Sequence, residues 1–145
     1  MKNIIFFAFV LLTFITFSQK EELTWHSDLQ KAISLSQKEK KPMLLFFTGS
    51  DWCGWCKKMD KTTFQDEKVM KILQEEYYTV KVDFDNKNKM NYQGQQYTGK
   101  ELAKKFGIEG LPTLVVIAPD FSKSEAIIGY KNPKQFINAL NQVKI

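Results

Sequence analysis

The chain of 145 residues contains two cysteines, Cys53 and Cys56, and only two residues separate them. When such a pair enters a helix, both sulfurs lie within one turn, so a disulfide can form and open with little backbone movement. The first turn of a helix also favours a thiolate, because unpaired amide groups and the positive end of the helix dipole lie there. We therefore predict a redox-active pair in which Cys53 is the nucleophile and the more shielded Cys56 resolves the mixed disulfide.

Other uses of a cysteine pair stay open at this point. Two cysteines can supply half of a structural zinc site, but such a site usually needs four Cys or His ligands, and His26 is the only other residue of either type. A Cu(I) site formed by two thiolates is an alternative, because soft ligands suit that ion. A purely structural disulfide is another, although so short a loop would gain little from loop entropy.

Residues 1–18 have the pattern of a secretory signal peptide. A positive start precedes an apolar run at 4–17, and the small residues Thr16 and Ser18 stand where a signal peptidase acts. The run is short for a membrane span of about 20 residues, so a retained anchor is the alternative. We expect cleavage before Gln19 and a periplasmic or secreted protein without stable membrane insertion. Disulfides persist in those compartments.

The remaining residues, 19–145, are expected to form one domain, since a chain of this size buries about two-thirds of its unfolded surface. The formal net charge is +5, every basic residue is a lysine, and acidic residues are interspersed among them. The absence of arginine and of a clustered basic face gives little support to nucleic-acid binding.

Hydrophobic periodicity predicts helices and strands in alternation. Helices are expected over 27–40, 53–59, 66–76, 99–106 and 133–143. Strands are expected over 41–49, 77–84, 113–117 and 124–130. The residues at 62–64 indicate a kink or a break between two helices, and 85–96 is predicted to be an exposed loop. This order implies a mixed sheet covered on both faces.

Three motifs resemble the thioredoxin superfamily, and the resemblance covers essentially all of 19–145. They are Trp52–Lys57 after a buried strand, Lys81–Asp85 in a second strand, and Gly107–Thr113. The resemblance implies an α/β, thioredoxin-like fold with a central mixed β-sheet flanked by helices. It also implies a cis Leu111–Pro112 bond that faces the dithiol. More narrowly, Thr48–Met59 resembles exported bacterial thioredoxin-like proteins of the disulfide-isomerase-like type.

The family resemblance also implies an activity and a site. The expected activity is thiol-disulfide exchange with cysteine-containing protein substrates, catalysed by Cys53 and Cys56 with no metal or organic cofactor. The substrate is expected to contact six further residues: Trp52, Gly54, Trp55, Leu111, Pro112 and Gly129. An extended substrate would pair with the backbone of Leu111. We expect a monomer that uses a redox partner protein. The alternative is a non-enzymatic binding module for client peptides or Cu(I).

Two departures from the classical family pattern concern the second cysteine. Classical thioredoxins have a buried Asp in the strand before the motif, where this chain has Phe47, and Gly-Pro between the cysteines, where this chain has Gly54-Trp55. The buried carboxylate of the family helps to deprotonate the second thiol, so its loss leaves the proton acceptor for Cys56 unassigned. Asp51, Asp83 and water are the alternatives.

We predict that the exported protein begins at Gln19, because Thr16 and Ser18 present small side chains to the signal peptidase. The intact mass of the protein recovered from the periplasm measures this directly. Recovery of the full-length chain in the membrane fraction would support an anchor instead.

Overall fold

Residues 22–49 and 51–145 are described by the computed structural model, and the predicted signal peptide lies outside them. The helices are α1 (Leu29–Glu39), α2 (Gly54–Lys61), α3 (Glu67–Glu76), α4 (Gly99–Lys105) and α5 (Pro133–Gln142). The strands are β1 (Met43–Thr48), β2 (Tyr78–Asp83), β3 (Met90–Tyr92), β4 (Gln95–Tyr97), β5 (Thr113–Ile117) and β6 (Ser124–Ile128). None of the described helices combines the length and apolar character needed to cross a membrane.

The central sheet has four strands in the order β2, β1, β5, β6. β1 runs parallel to β2 and antiparallel to β5, and β6 runs antiparallel to β5. All six residues of β1 are buried, as expected for a strand that is covered on both faces. The predicted mixed sheet flanked by helices is therefore confirmed, and the predicted helices and strands are all present with ends within two residues of those observed.

Alternate residues of β1 pack into two separate apolar layers. Phe46 lies in the layer that contains Cys53 and Cys56, together with side chains from α2, α3 and α5. Phe47 lies in the opposite layer with α1 and α4, and its ring centroid is 5.7 Å from that of Phe106. Because side chains alternate along a strand, Phe47 faces away from the dithiol, and Phe46 is the strand residue on the dithiol side.

A buried aromatic cluster fixes the chain between α2 and α3. A 3₁₀ turn over Thr63–Gln65 separates these two helices, which confirms the predicted break. The Phe64 ring in this turn lies 5.1 Å from Trp25, 5.0 Å from Phe46 and 5.8 Å from Phe136, with edge-to-face geometry in all three pairs. Such pairs add stability beyond the area that they bury. Phe64 thus joins the N-terminal segment, β1 and α5.

The prediction of an exposed loop at 85–96 is wrong, because this segment contributes to a β-hairpin of β3 and β4. Gln93 and Gly94 both have positive φ, at 52° and 80°, which suits a two-residue hairpin turn. Tyr92 is buried against Phe106 and Phe121, and this burial raises the pKa of its phenol above the usual value. The polar composition of the segment concealed the strands.

We expect Phe64→Ala to lower the free energy of unfolding by about 3–5 kcal/mol, since it removes a fully buried ring and leaves a cavity. Urea denaturation followed by circular dichroism measures the loss. Phe64→Leu retains most of the buried volume, so its loss should be clearly smaller. Equal losses for the two variants, or a loss below about 1 kcal/mol for Phe64→Ala, would contradict the role given to this cluster.

Candidate functional site

The cysteine pair lies where β1 ends and α2 begins. The Cys53 N–H donates a hydrogen bond of 2.9 Å to the carbonyl of Gly49, and this bond closes the turn after the strand. Cys53 is the N-cap residue of α2, and its sulfur accepts a hydrogen bond of 3.2 Å from the Cys56 N–H. The two residues are joined by a disulfide, and their Cα atoms are 5.2 Å apart. The sequence prediction that Cys53 stands at the first turn of a helix is confirmed.

The two cysteines differ in exposure in the predicted order, although both are buried in the disulfide form. Cys53 is 6% exposed, whereas Cys56 is fully buried within the apolar layer beneath α2. A sulfur at the helix N-terminus receives both the amide hydrogen bond and the dipole field, and each of them stabilises a thiolate. The helix N-terminus therefore favours a thiolate at Cys53, whereas Cys56 lies shielded beneath α2.

Trp52 flanks the cysteines on one side and is 60% exposed. Its indole N–H donates a hydrogen bond to the carboxylate of Asp85, and its ring lies edge-on to Phe84 at 6.5 Å. The ring also covers Gly49, where a Cβ atom would lie only 2.7 Å from the indole. Glycine at that position lets the indole lie against the end of β1.

Trp55 flanks the cysteines on another side and is 58% exposed. Its ring centroid lies 5.4 Å from that of Tyr130, which follows Gly129 directly in the chain. Gly54, between the two cysteines, is exposed at the first position of α2, with open space where a Cβ atom would stand.

The segment before β5 contributes two more of the predicted site residues, Leu111 and Pro112. The Leu111–Pro112 bond is cis, as the family resemblance implied. The carbonyl of Pro112 accepts a hydrogen bond of 2.8 Å from the N–H of Gly129, which adopts a positive φ of 77°. Since Thr113 pairs with Phe47 in β1 and with Ile128 in β6, these residues lie at the end of the sheet where β1 leads into the cysteine turn.

The structure therefore brings every predicted site residue to one end of the sheet: Trp52, Cys53, Gly54, Trp55, Cys56, Leu111, Pro112 and Gly129. Sequence analysis missed Tyr130, which packs on Trp55 from a distant segment. It also missed Asp60, although a spacing of four residues from Cys56 on a helix is a usable signal.

Asp60 and Lys81 form an ion pair on the dithiol side of the sheet. The Lys81 ammonium donates a hydrogen bond of 2.8 Å to the Asp60 carboxylate, and both side chains are half-buried. The same ammonium lies 5.1 Å from the centroid of the Trp25 ring and 5.7 Å from that of Phe46. Asp60 lies four residues after Cys56, so its carboxylate stands one helical turn further along α2.

The two carboxylates that the sequence suggested as proton acceptors for the second thiol are placed differently. Asp83 accepts a hydrogen bond of 3.0 Å from the N–H of Asp85 and so stabilises the turn after β2. Asp51 is exposed in the turn before α2, where its carbonyl accepts a hydrogen bond of 2.6 Å from the Lys57 ammonium. Within the described ranges, no group of three or more His, Cys, Asp or Glu side chains is arranged to hold a metal ion.

Comparison with known proteins supports the fold. A family model described as a thioredoxin-like domain matches residues 29–144. The disulfide bond reductase DsbH of Chlamydia pneumoniae is 35% identical over 109 residues, which cover 75% of this chain and 64% of the relative. The thiol:disulfide interchange protein DsbD of Actinobacillus pleuropneumoniae serotype 5b (strain L20) is 32% identical over 120 residues, which cover 81% of this chain but 18% of the relative. The chain thus spans less than two-thirds of the length of either relative.

A solved structure of a DsbH oxidoreductase superimposes with a TM-score of 0.69 and 31% sequence identity, covering 83% of each chain. Residues 29–144, which the family model matches, include the cysteine pair, the buried strand before it and the segment that contains Pro112. The chain therefore belongs to the thioredoxin-like family.

Proposed function

We propose that this chain is a thiol-disulfide oxidoreductase that exchanges disulfides with cysteine-containing proteins through Cys53 and Cys56. The observation that carries the proposal is the position of Cys53 as N-cap of α2, with the Cys56 N–H donating to its sulfur at 3.2 Å. This arrangement stabilises a thiolate at the attacking position. The two relatives, a disulfide bond reductase and a thiol:disulfide interchange protein, support the same class of reaction.

In the reductive direction, the Cys53 thiolate attacks one sulfur of the substrate disulfide. A mixed disulfide forms, and the other substrate sulfur leaves as a thiolate that takes a proton from water. Cys56 then loses its proton and attacks the Cys53 sulfur, which closes the Cys53–Cys56 disulfide and releases the second substrate thiolate. Two electrons pass from the protein to the substrate. A redox partner protein restores the dithiol, and the same steps in reverse oxidise a substrate.

The two sulfurs carry the electrons, so the proposed reaction uses no metal or organic cofactor. The substrate groove is proposed to lie between the tryptophan side of the dithiol and the segment before β5, and its residues are Trp52, Gly54, Trp55, Leu111, Pro112 and Gly129. Two large, exposed indoles beside a reactive sulfur support this assignment, because aromatic side chains concentrate at binding surfaces. An extended substrate would add to the backbone at Leu111 as a further strand.

The proposed place of action is outside the cytosol, in the periplasm or after secretion. This follows from the signal pattern at 1–18 and from the persistence of disulfides in such compartments. Residues 19–145 would then act as the mature domain and as a monomer.

Asp60 is the proposed proton acceptor for Cys56. It lies four residues after Cys56 on α2, so the two side chains project from neighbouring positions on one helix. The Lys81 ammonium donates to the Asp60 carboxylate at 2.8 Å and holds it on the dithiol side of the sheet. In this proposal Asp60 takes the proton that Cys56 loses as its sulfur attacks. Asp83 is engaged in the turn after β2, and Asp51 is exposed in the turn before α2.

The catalytic roles of the two cysteines predict different outcomes for their serine variants. In insulin reduction by dithiothreitol, Cys53→Ser should show only the uncatalysed rate, because it lacks the attacking sulfur. Cys56→Ser should instead accumulate a mixed disulfide with its substrate, detectable by non-reducing electrophoresis. Equal rates with the wild type and with Cys53→Ser would contradict an enzyme that acts through Cys53.

The role of Asp60 predicts a rate loss that depends on pH. Asp60→Asn should slow resolution of the mixed disulfide about a hundredfold or more at pH 7, because loss of a general base costs at least about that factor. The deficit should shrink as the pH rises through the thiol range near 8.5, because Cys56 then ionises without a base. Single-turnover release of the second substrate thiol measures this rate.

Asp51→Asn serves as the matched control for that experiment, because it removes a carboxylate of the same chemistry from the exposed turn before α2. It should keep the wild-type rate and pH profile. A deficit in Asp60→Asn that stays constant across pH, or an equal deficit in Asp51→Asn, would refute the assignment.

A further inference from the structure

An exposed ammonium group is held between two aromatic rings on the Trp55 side of the dithiol. The Lys58 ammonium lies 4.9 Å from the centroid of Trp55 and 4.9 Å from that of Tyr130. The two rings are 5.4 Å apart and inclined by 38°. Cation–π attraction to both rings fixes the position of this charge. Thr62 adds a hydrogen bond of 3.3 Å to the Tyr130 hydroxyl, which connects the far ring to the end of α2.

Other lysines lie near this group on α2 and beside Gly129, and among the described residues no carboxylate forms an ion pair with it. Lys61 follows Lys58 on α2, and the Lys131 ammonium lies beside Gly129, where it donates to the carbonyl of Ile128 at 2.5 Å. Asp60 is the acidic residue of α2, and it is paired with Lys81. That pair is the one side-chain ion pair found in the part of the chain that the structure describes.

The Trp52 side of the dithiol carries both signs of charge, because the Lys57 ammonium donates to the Asp51 carbonyl and the Lys100 ammonium lies 6.0 Å from the Phe84 ring centroid. Trp52 donates its indole N–H to the carboxylate of Asp85, and Asp83 stands two residues earlier in the same turn. Asp51 lies immediately before Trp52. A polypeptide that crosses the dithiol therefore meets carboxylates and ammonium groups together beside Trp52, and a basic region beside Trp55.

We infer that Lys58, held by Trp55 and Tyr130, recognises an Asp or Glu side chain close to the reactive cysteine of the protein substrate. The inference rests on the proposed function and specifies its substrate class. Two aromatic faces shield the ammonium from part of the solvent, so it gains more from an incoming carboxylate than a fully hydrated surface lysine would. The exposed part of the Trp55 ring supplies apolar contact to the neighbouring residues of the same segment.

Two disulfide peptides that differ only by Glu or Gln next to the cysteines test the inference. For the wild type at low salt we expect kcat/KM to be about fivefold higher for the Glu peptide, which corresponds to a favourable surface ion pair. The ratio should fall towards one at 0.5 M salt, where screening is strong. In Lys58→Gln the ratio should be near one at every salt concentration. Use of the ratio cancels any general change in thiol reactivity.

Lys68→Gln is the matched control, because Lys68 is exposed on α3 and its substitution changes the net charge equally. It should keep the wild-type ratio. A wild-type ratio of one, a ratio unchanged in Lys58→Gln, or an equal fall in both variants would overturn the carboxylate inference. Absence of turnover with both peptides would instead overturn the proposed function.

Discussion

The site depends on β1, which is buried on both faces and cannot shift without exposing two apolar layers. Its last residues fix where α2 begins and hence where Cys53 meets the helix amides. Its two neighbours bring the other parts of the site to the same end of the sheet. β2 runs parallel and delivers the acidic turn that contacts Trp52, while β5 runs antiparallel and begins just after Pro112. The pairing of β1 with β2 and β5 therefore brings together the separate segments that surround the disulfide.

Local features of the sequence predicted the centre well. A pair of cysteines two residues apart, a buried apolar run before them and a Gly-Ile-Glu-Gly-Leu-Pro segment are all short motifs, and the structure places all three together. Helix boundaries were also predictable, since Asp66 and Thr98 are capping residues and bond the first amides of α3 and α4.

Contacts between distant segments were not predictable. The stacking of Tyr130 on Trp55 depends on how the end of β6 meets α2, and no periodicity reports that. The hairpin of β3 and β4 has few apolar residues, and its burial rests largely on Tyr92. The side of the sheet that Phe46 and Phe47 face depends on strand register, where an error of one residue exchanges the two faces.

The capping group of α2 is itself the reactive atom, because the Cys56 N–H donates to the Cys53 sulfur. An ionised acceptor forms a stronger hydrogen bond than a neutral one. A Cys53 thiolate therefore caps α2 more firmly than the same sulfur does in a disulfide with Cys56 or with a substrate. In the proposed reaction, each transfer of electrons changes the strength with which the first turn of the helix is held, so the proposed redox cycle of the cysteines is also a cycle of helix stability.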